Sequence, residues 1–129
     1  MTAPFDFAAP SRVVFGRGRL RETGSLIAPW GRRCLLFTGA KPERANALFE
    51  ALRIAGVEPE TIAVAGEPTF DLVRDAVRRA RDFRSDSVVG FGGGSVIDAA
   101  KATAMLIANG GDPLDYAEVI GAGRPITSP

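Results

Sequence analysis

The sequence predicts an α/β fold: an open, mostly parallel sheet with helices on both faces. Three observations lead there. Segments of strand and helix character alternate along nearly the whole chain, the pattern of a parallel sheet bridged by helices. Two strand candidates, Arg33 to Phe37 and Ser87 to Phe91, are continuous apolar runs, as suits strands covered on both sides. After the second of them come three consecutive glycines, Gly92 to Gly94, and then a long run without Gly or Pro.

The elements follow in order. Arg12 to Phe15 is predicted as a short strand, broken at Gly16 and Gly18. Leu20 to Ala28 carries Leu20, Leu26 and Ile27 and reads as a helix, weakened by Gly24 and ended by Pro29. Arg33 to Phe37 is the next strand, ended by Thr38-Gly39-Ala40. Pro42 suits the first turn of a helix. Ala45, Leu48, Phe49 and Leu52 recur at helical spacing until Ala55-Gly56 closes the element.

Thr61 to Ala65 is a short strand between Pro59 and the turn Gly66-Glu67-Pro68. The helix after it sets Phe70, Val73, Val77 and Ala80 on one face and Arg74, Arg78, Arg79, Arg81 and Arg84 on the other. Asp71, Asp75, Asp82 and Asp86 are interleaved with the arginines. The sequence is therefore read as a solvated, ion-paired face, not a platform for an anionic partner.

Ser87 to Asn109 organises the rest. The run Val88-Val89 enters the glycine turn as a buried strand. Val96 to Asn109 is rich in Ala, Leu, Met and Ile, so it should be helical, with its stop at Asn109-Gly110-Gly111. Beyond it, Asp112 and Asp115 read as turn residues, Tyr116 as packing, and Arg124 to Pro129 as extended chain. No period of twenty to fifty residues recurs, which excludes a repeat protein.

Composition bounds the function. The chain has 129 residues, 46% hydrophobic and 24% charged, the make-up of one globular domain. A net charge of +1 gives no reason to expect nucleic acid or a membrane surface as partner. No apolar run is long enough to span a bilayer. Met1 to Pro10 lacks a basic start and an apolar core, so no secretory signal is read and a cytoplasmic location is expected. Cys34 is the only cysteine and lies in an apolar run, where a buried small hydrophobe is expected. The chain contains no histidine, which removes Ser-His-Asp and Cys-His catalysis and every histidine-containing metal site. No carboxylate cluster stands out, so no metal ligands are assigned.

The glycine turn carries the chemistry. The first turn of a helix presents unpaired N–H groups and about half a positive charge. Glycines lack a Cβ, so a phosphate can approach that backbone closely. A purely structural reading stands beside this one: Gly92 to Gly94 make a tight turn, with Ser95 and Asp98 as a capping box. The turn is not a Walker loop, because Ser95-Val96 cannot replace its Lys-Ser or Lys-Thr. Nor is it the usual dinucleotide fingerprint, which needs glycine where Ser95 stands and belongs on the first strand of its domain.

Gly92 to Lys101 does resemble the signature Gly-Gly-Gly-Ser-x-x-Asp-x-Ala-Lys of the iron-containing, metal-dependent alcohol dehydrogenase family. All seven specified positions match. Val13-Val14-Phe15-Gly16-Arg17-Gly18 looks like the family's opening strand and turn. Gly111 to Tyr116 and Gly121 to Pro125 look like the segment beyond the phosphate helix. The resemblance implies a Rossmann-like N-terminal dinucleotide-binding domain over residues 1–129, without the family's helical metal-binding domain.

By that resemblance, Gly92, Gly93, Gly94 and Ser95 hold the diphosphate of NAD or NADP, and Thr38-Gly39 lies against the adenosine. Members that prefer NAD often carry an acid where this chain has Gly39. An acid there would bond the ribose 2′-hydroxyl and repel a 2′-phosphate. NADP is thus admitted, with Lys41 or Arg44 available to a phosphate. Asp98 has two candidate jobs: capping the helix and pairing with Lys101, or, by resemblance, standing near the nicotinamide as the one candidate catalytic residue.

The family's reaction is hydride transfer between a small alcohol or aldehyde and nicotinamide, helped by Fe²⁺ or Zn²⁺ held in the second domain. The resemblance therefore implies an isolated chain that binds dinucleotide weakly without turning over alcohols, and a homodimer formed through Val13 to Phe15. Two other readings are open. One is a relative of dehydroquinate synthase, a lyase with a similar triple-glycine turn, against which Ser95 and Ala100-Lys101 speak. The other is a nucleotide-binding module without catalysis.

Overall fold

The computed structural model describes residues 12–128. The readings made for Met1 to Pro10 and for Pro129 lie outside them. The architecture is the expected α/β one. Strands β1 (Arg33–Gly39), β2 (Glu58–Val64) and β3 (Ser87–Phe91) form a parallel sheet in the order β2-β1-β3. Helices α1 (Thr23–Ile27) and α2 (Asn46–Ile54) cover one face. Helices α3 (Phe70–Phe83) and α4 (Gly94–Asn109) cover the other.

The central strand explains this layering. Cys34 through Thr38 are all buried, as the continuous apolar run required. Successive side chains alternate between faces. Leu35 and Phe37 join Ile62, Val64, Ala76, Ala80 and the α4 residues Val96, Ala99 and Ala100 in one core. Cys34 and Leu36 join Leu48, Leu52 and Val57 in the other. Burial pushes the Cys34 thiol up to about 11, so it is the inert hydrophobe expected.

Four local expectations are corrected. Arg12 to Phe15 forms no strand: none of the sheet strands pairs with it, and Val13 and Phe15 are 78% and 95% exposed. A strand needs a neighbour to take its N–H and C=O groups. β2 begins at Glu58 instead of Thr61 and contains Pro59, opposite Cys34. A residue without an N–H is tolerated there because β2 is an edge strand. The first helical segment has only five α-helical residues, flanked by 3₁₀ turns Arg19–Glu22 and Ala28–Trp30, so Pro29 sits inside the last turn. Gly24 is not a weakness, because a Cβ there would meet the Ala51 carbonyl oxygen at 2.0 Å. Its absence lets α1 settle against α2.

The fourth concerns the segment after α4, where Asp112 and Asp115 are expected as turn residues. It holds a short helix, α5 (Pro113–Tyr116), opened by a capping box between Asp112 and Asp115. Tyr116 packs against Val73, Val77 and Leu106, and its hydroxyl donates to the Gly110 carbonyl at 2.9 Å. Of the arginines expected on the ion-paired face, Arg74, Arg78 and Arg79 are paired, partly to other elements, while Arg81 and Arg84 make no ion pair among the described residues. Arg74 bonds Asp71 at 2.8 Å and grips Asp112 through two nitrogens at 2.6 and 2.8 Å, while Arg79 reaches Glu60. Arg78 pairs with Asp75. Asp86 instead accepts the Arg32 and Arg33 backbone N–H groups, at 2.8 and 3.0 Å.

Candidate functional site at the switch point of the sheet

Because the strands are parallel, Gly39, Val64 and Phe91 end at one edge of the sheet. The chain steps from β1 to β2 in one direction, then passes back over β1 to reach β3. That reversal opens a crevice between β1 and β3 at their carboxyl ends, where ligands bind in such sheets. A cleft of about 330 Å³ lies there. Thr38, Gly39, Lys41 and Arg44 line it from the β1 side, and Phe91, Gly92 and Gly93 from the β3 side.

Helix α4 starts at Gly94, with Gly93 as its N-cap, rather than at Val96. The first bond into it runs from the Ile97 N–H to the Gly93 carbonyl, 3.1 Å. The amides of Gly94, Ser95 and Val96 therefore have no protein acceptor among the described residues. Gly92, Gly93 and Gly94 are exposed to solvent. The end of α4 is thus open to an anion, with the partial charge of a 16-residue helix behind it.

The glycines divide the work. A Cβ on Gly92 would lie 2.6 Å from Val96, and one on Gly90 3.0 Å from the Ala100 Cβ. Those two let the strand and α4 close against each other. A Cβ on Gly39, Gly93 or Gly94 would meet nothing within 4 Å. Those three leave vacant the space that a dinucleotide lying over the edge would fill. Thr38 is buried at the cleft, and its Oγ1 has no hydrogen-bond partner among the described residues. The donors and the space present here fit a dinucleotide.

The expected capping box of Ser95 and Asp98 does not form. The helix begins before Ser95, so Ser95 lies in its first turn and its Oγ donates to Glu67 Oε1 at 3.3 Å. Asp98 is a further turn along, too deep to cap. It is exposed, and neither the pair with Lys101 nor any other ion pair engages it among the described residues. The sequence places Glu67 only in the turn Gly66-Glu67-Pro68 and does not single it out, yet it touches the glycine turn through Ser95. A polar residue in a turn at the carboxyl edge was the available signal.

Among the described residues no group of three or more His, Cys, Asp or Glu side chains can hold a metal ion. A second depression of about 230 Å³ between α3 and α5 is lined by Arg74, Arg78 and Arg81. Asp71, Asp112 and Asp75 already occupy the first two.

Comparison with known proteins agrees with this geometry. The family model described as iron-containing alcohol dehydrogenase matches residues 10–129. The chain is 28% identical over 123 residues to NADH-dependent butanol dehydrogenase A of Clostridium acetobutylicum, covering 86% of this chain and 30% of that protein. The crystal structure of NADH-dependent butanol dehydrogenase A from Thermotoga maritima superposes with a TM-score of 0.78 at 32% identity, over 88% of this chain and 30% of that one. An archaeal halo-thermophilic Red Sea brine pool alcohol dehydrogenase gives 0.83 at 28% identity, over 98% and 34%. The chain thus spans about a third of the length of the relatives it matches. With its parallel sheet, its open glycine turn and a family match from residue 10 onward, the chain belongs to the iron-containing alcohol dehydrogenase family.

Proposed function

We propose that residues 1–129 act as the dinucleotide-binding domain of an NAD(P)-dependent, metal-dependent alcohol dehydrogenase, which moves hydride between a small alcohol or aldehyde and nicotinamide. One observation carries this reading: the amides of Gly94, Ser95 and Val96 have no protein acceptor among the described residues, at the open end of α4 where Gly92 and Gly93 line the switch-point cleft. They take the diphosphate, with Gly92 and Gly93 letting it reach the backbone. Thr38 and Gly39 receive the adenosine side. Asp98, exposed one turn into α4, is the residue assigned to the nicotinamide end. The nicotinamide, when bound, supplies the hydride acceptor or donor; the protein's part here is binding and orientation.

The family match supports the dehydrogenase over the lyase reading. In this reading the Fe²⁺ or Zn²⁺ is held by the full-length protein; the sequence given has no histidine, and its described residues hold no group of three or more potential metal ligands. The chain alone therefore binds nucleotide without oxidising alcohols. The proposal includes a homodimer through Val13 to Phe15, supported by the exposure of Val13 and Phe15, and a cytoplasmic location. No helix among the described residues is long and apolar enough to cross a membrane.

Titration of the purified chain with NADH and NADPH, read by nicotinamide fluorescence, tests the reading. Saturable binding that is weakened by Gly93→Asp is expected. Absence of binding by both nucleotides overturns the site, and metal-stimulated alcohol oxidation by the chain alone overturns the division of labour.

A further inference from the structure

We infer that Asn109-Gly110 is a covalent self-modification site, where the backbone attacks the asparagine side chain. The native fold keeps it dormant through a clamp between the Asn109 carboxamide and Thr127-Ser128. The chain has two asparagines, and the other, Asn46, is followed by Ala47. Glycine puts no side chain in the way of the attack, so only Asn109 has an unobstructed neighbour. In the reaction the Gly110 nitrogen gives its proton to hydroxide and bonds to Asn109 Cγ. The Cγ–Nδ2 bond breaks, and the side-chain nitrogen takes a proton back from water and leaves as ammonia. Water then opens the five-membered imide at either carbonyl, leaving an aspartyl or isoaspartyl link at position 109.

Ring closure needs the Gly110 nitrogen and the Asn109 side chain both free, and the structure ties down each. The Gly110 N–H donates to the Leu106 carbonyl at 2.8 Å, closing α4. Asn109 Nδ2 donates to the Met105 carbonyl at 2.9 Å and to the Ser128 carbonyl at 3.0 Å. Its Oδ1 accepts the Thr127 and Ser128 N–H groups at 3.0 and 2.8 Å, and the Thr127 hydroxyl at 3.3 Å. One half-buried side chain thus holds a segment 18 and 19 residues away. Thr127 is exposed and belongs to no strand or helix, so the clamp opens by local fraying without unfolding the sheet. Modification makes that opening permanent. Replacing Nδ2 by an oxygen sets a negative atom against two carbonyls, at the negative end of α4. The event lies at the opposite end of this 16-residue helix from the amides of the glycine turn.

Peptide mapping by mass spectrometry of the purified chain, aged at mildly alkaline pH, tests the inference. In guanidinium chloride the chain is expected to convert at Asn109 and far more slowly at Asn46. The native chain is expected to convert at Asn109 at least about tenfold more slowly than the unfolded one. Thr127→Pro combined with Ser128→Pro removes both N–H donors from the clamp and is expected to speed conversion of the folded chain about tenfold. Hydrogen exchange gives a check that needs no variant: the Thr127 and Ser128 amides are expected to be protected in fresh protein and to lose that protection in aged protein. A native chain that converts as fast as the unfolded one overturns the clamp. So does a folded double variant that converts no faster, or an aged protein whose two amides stay protected. Absence of conversion at Asn109 in the unfolded chain overturns the site itself.

Discussion

Gly92 and Val96 touch so closely that a Cβ on Gly92 would stand 2.6 Å from the Val96 Cγ2, whereas one on the adjacent Gly93 would meet nothing within 4 Å. Neighbouring glycines thus answer to different forces. Gly92→Ala is expected to strain the junction of β3 and α4 by about 1–3 kcal/mol and to weaken nucleotide binding as well. Gly93→Ala is expected to leave the denaturation midpoint nearly unchanged while weakening binding. Urea unfolding and nucleotide titration of the two variants check the contrast; a stability loss at Gly93 equal to that at Gly92 would contradict it.

Glu67 accepts a hydrogen bond from Ser95 beside the glycine turn. Its negative charge stands where a diphosphate would bring more of the same sign. Glu67→Gln keeps an acceptor for Ser95 and removes the charge, so it is expected to tighten NAD(P)H binding about two- to fivefold at low salt, less at high salt. Unchanged affinity at low salt would remove Glu67 from the binding surface.

Gly24 tests the packing of α1 on α2. In a free helix, alanine would gain about 1 kcal/mol over glycine. Here the new methyl would lie 2.0 Å from the Ala51 carbonyl oxygen, backbone that cannot step aside cheaply. The clash wins, and Gly24→Ala is expected to lower stability by about 3 kcal/mol with nucleotide affinity preserved in the folded fraction. A neutral or stabilising result in thermal unfolding would refute the close approach.

The Arg74 guanidinium beside Asp112, helped by the Leu114 N–H, holds the Asp112 carboxyl down at about 2. An unfolded aspartate titrates near about 3.9. The folded value is the lower one, so the contribution of Asp112 is present above about pH 4 and is lost as pH falls toward 2. Asp112→Asn is expected to lower the melting temperature at pH 7 and to flatten its acid dependence in that window. Calorimetry at stepped pH values measures both.

Cys34 is fully buried, and its thiol is raised to about 11 by loss of solvent. A free thiol ionises near about 8.5. Its contribution to stability is therefore complete below that value and fades as pH climbs toward 11. A thiol reagent at pH 7 is expected to modify the denatured chain quickly and the native chain only as fast as it opens. Rapid labelling of native protein would put Cys34 at the surface.

Much of this was legible in the residues. The run Cys34-Leu35-Leu36-Phe37 announced a strand buried on both sides, and the apolar stripe of α3 set that helix against the sheet. The glycine turn stood out because three adjacent residues without side chains have few structural uses. What escaped notice depended on distance in sequence. Whether Arg12 to Phe15 becomes a strand depends on a partner, which local pattern does not reveal. Gly24 looked like a defect because its neighbour, Ala51, lies 27 residues away. The Ser95 and Asp98 spacing imitated a capping box, but Gly93 takes the N-cap position in an extended conformation, so the helix is already under way at Ser95. The Glu67 contact joins two loops at one edge, which only the strand order brings together.

Helix α4 presents its first turn to solvent and sinks Val96, Ala99, Ala100, Thr103 and Leu106 into the protein. Anchorage and reception are therefore one rigid body, and whatever loosens the interior also misaims the amides at its tip. Nucleotide should accordingly behave as a folding cofactor, lifting the melting temperature with the logarithm of its concentration and rescuing interior variants that fail without it. Tolerance of mutation beneath this helix would then depend on how much nucleotide surrounds the protein.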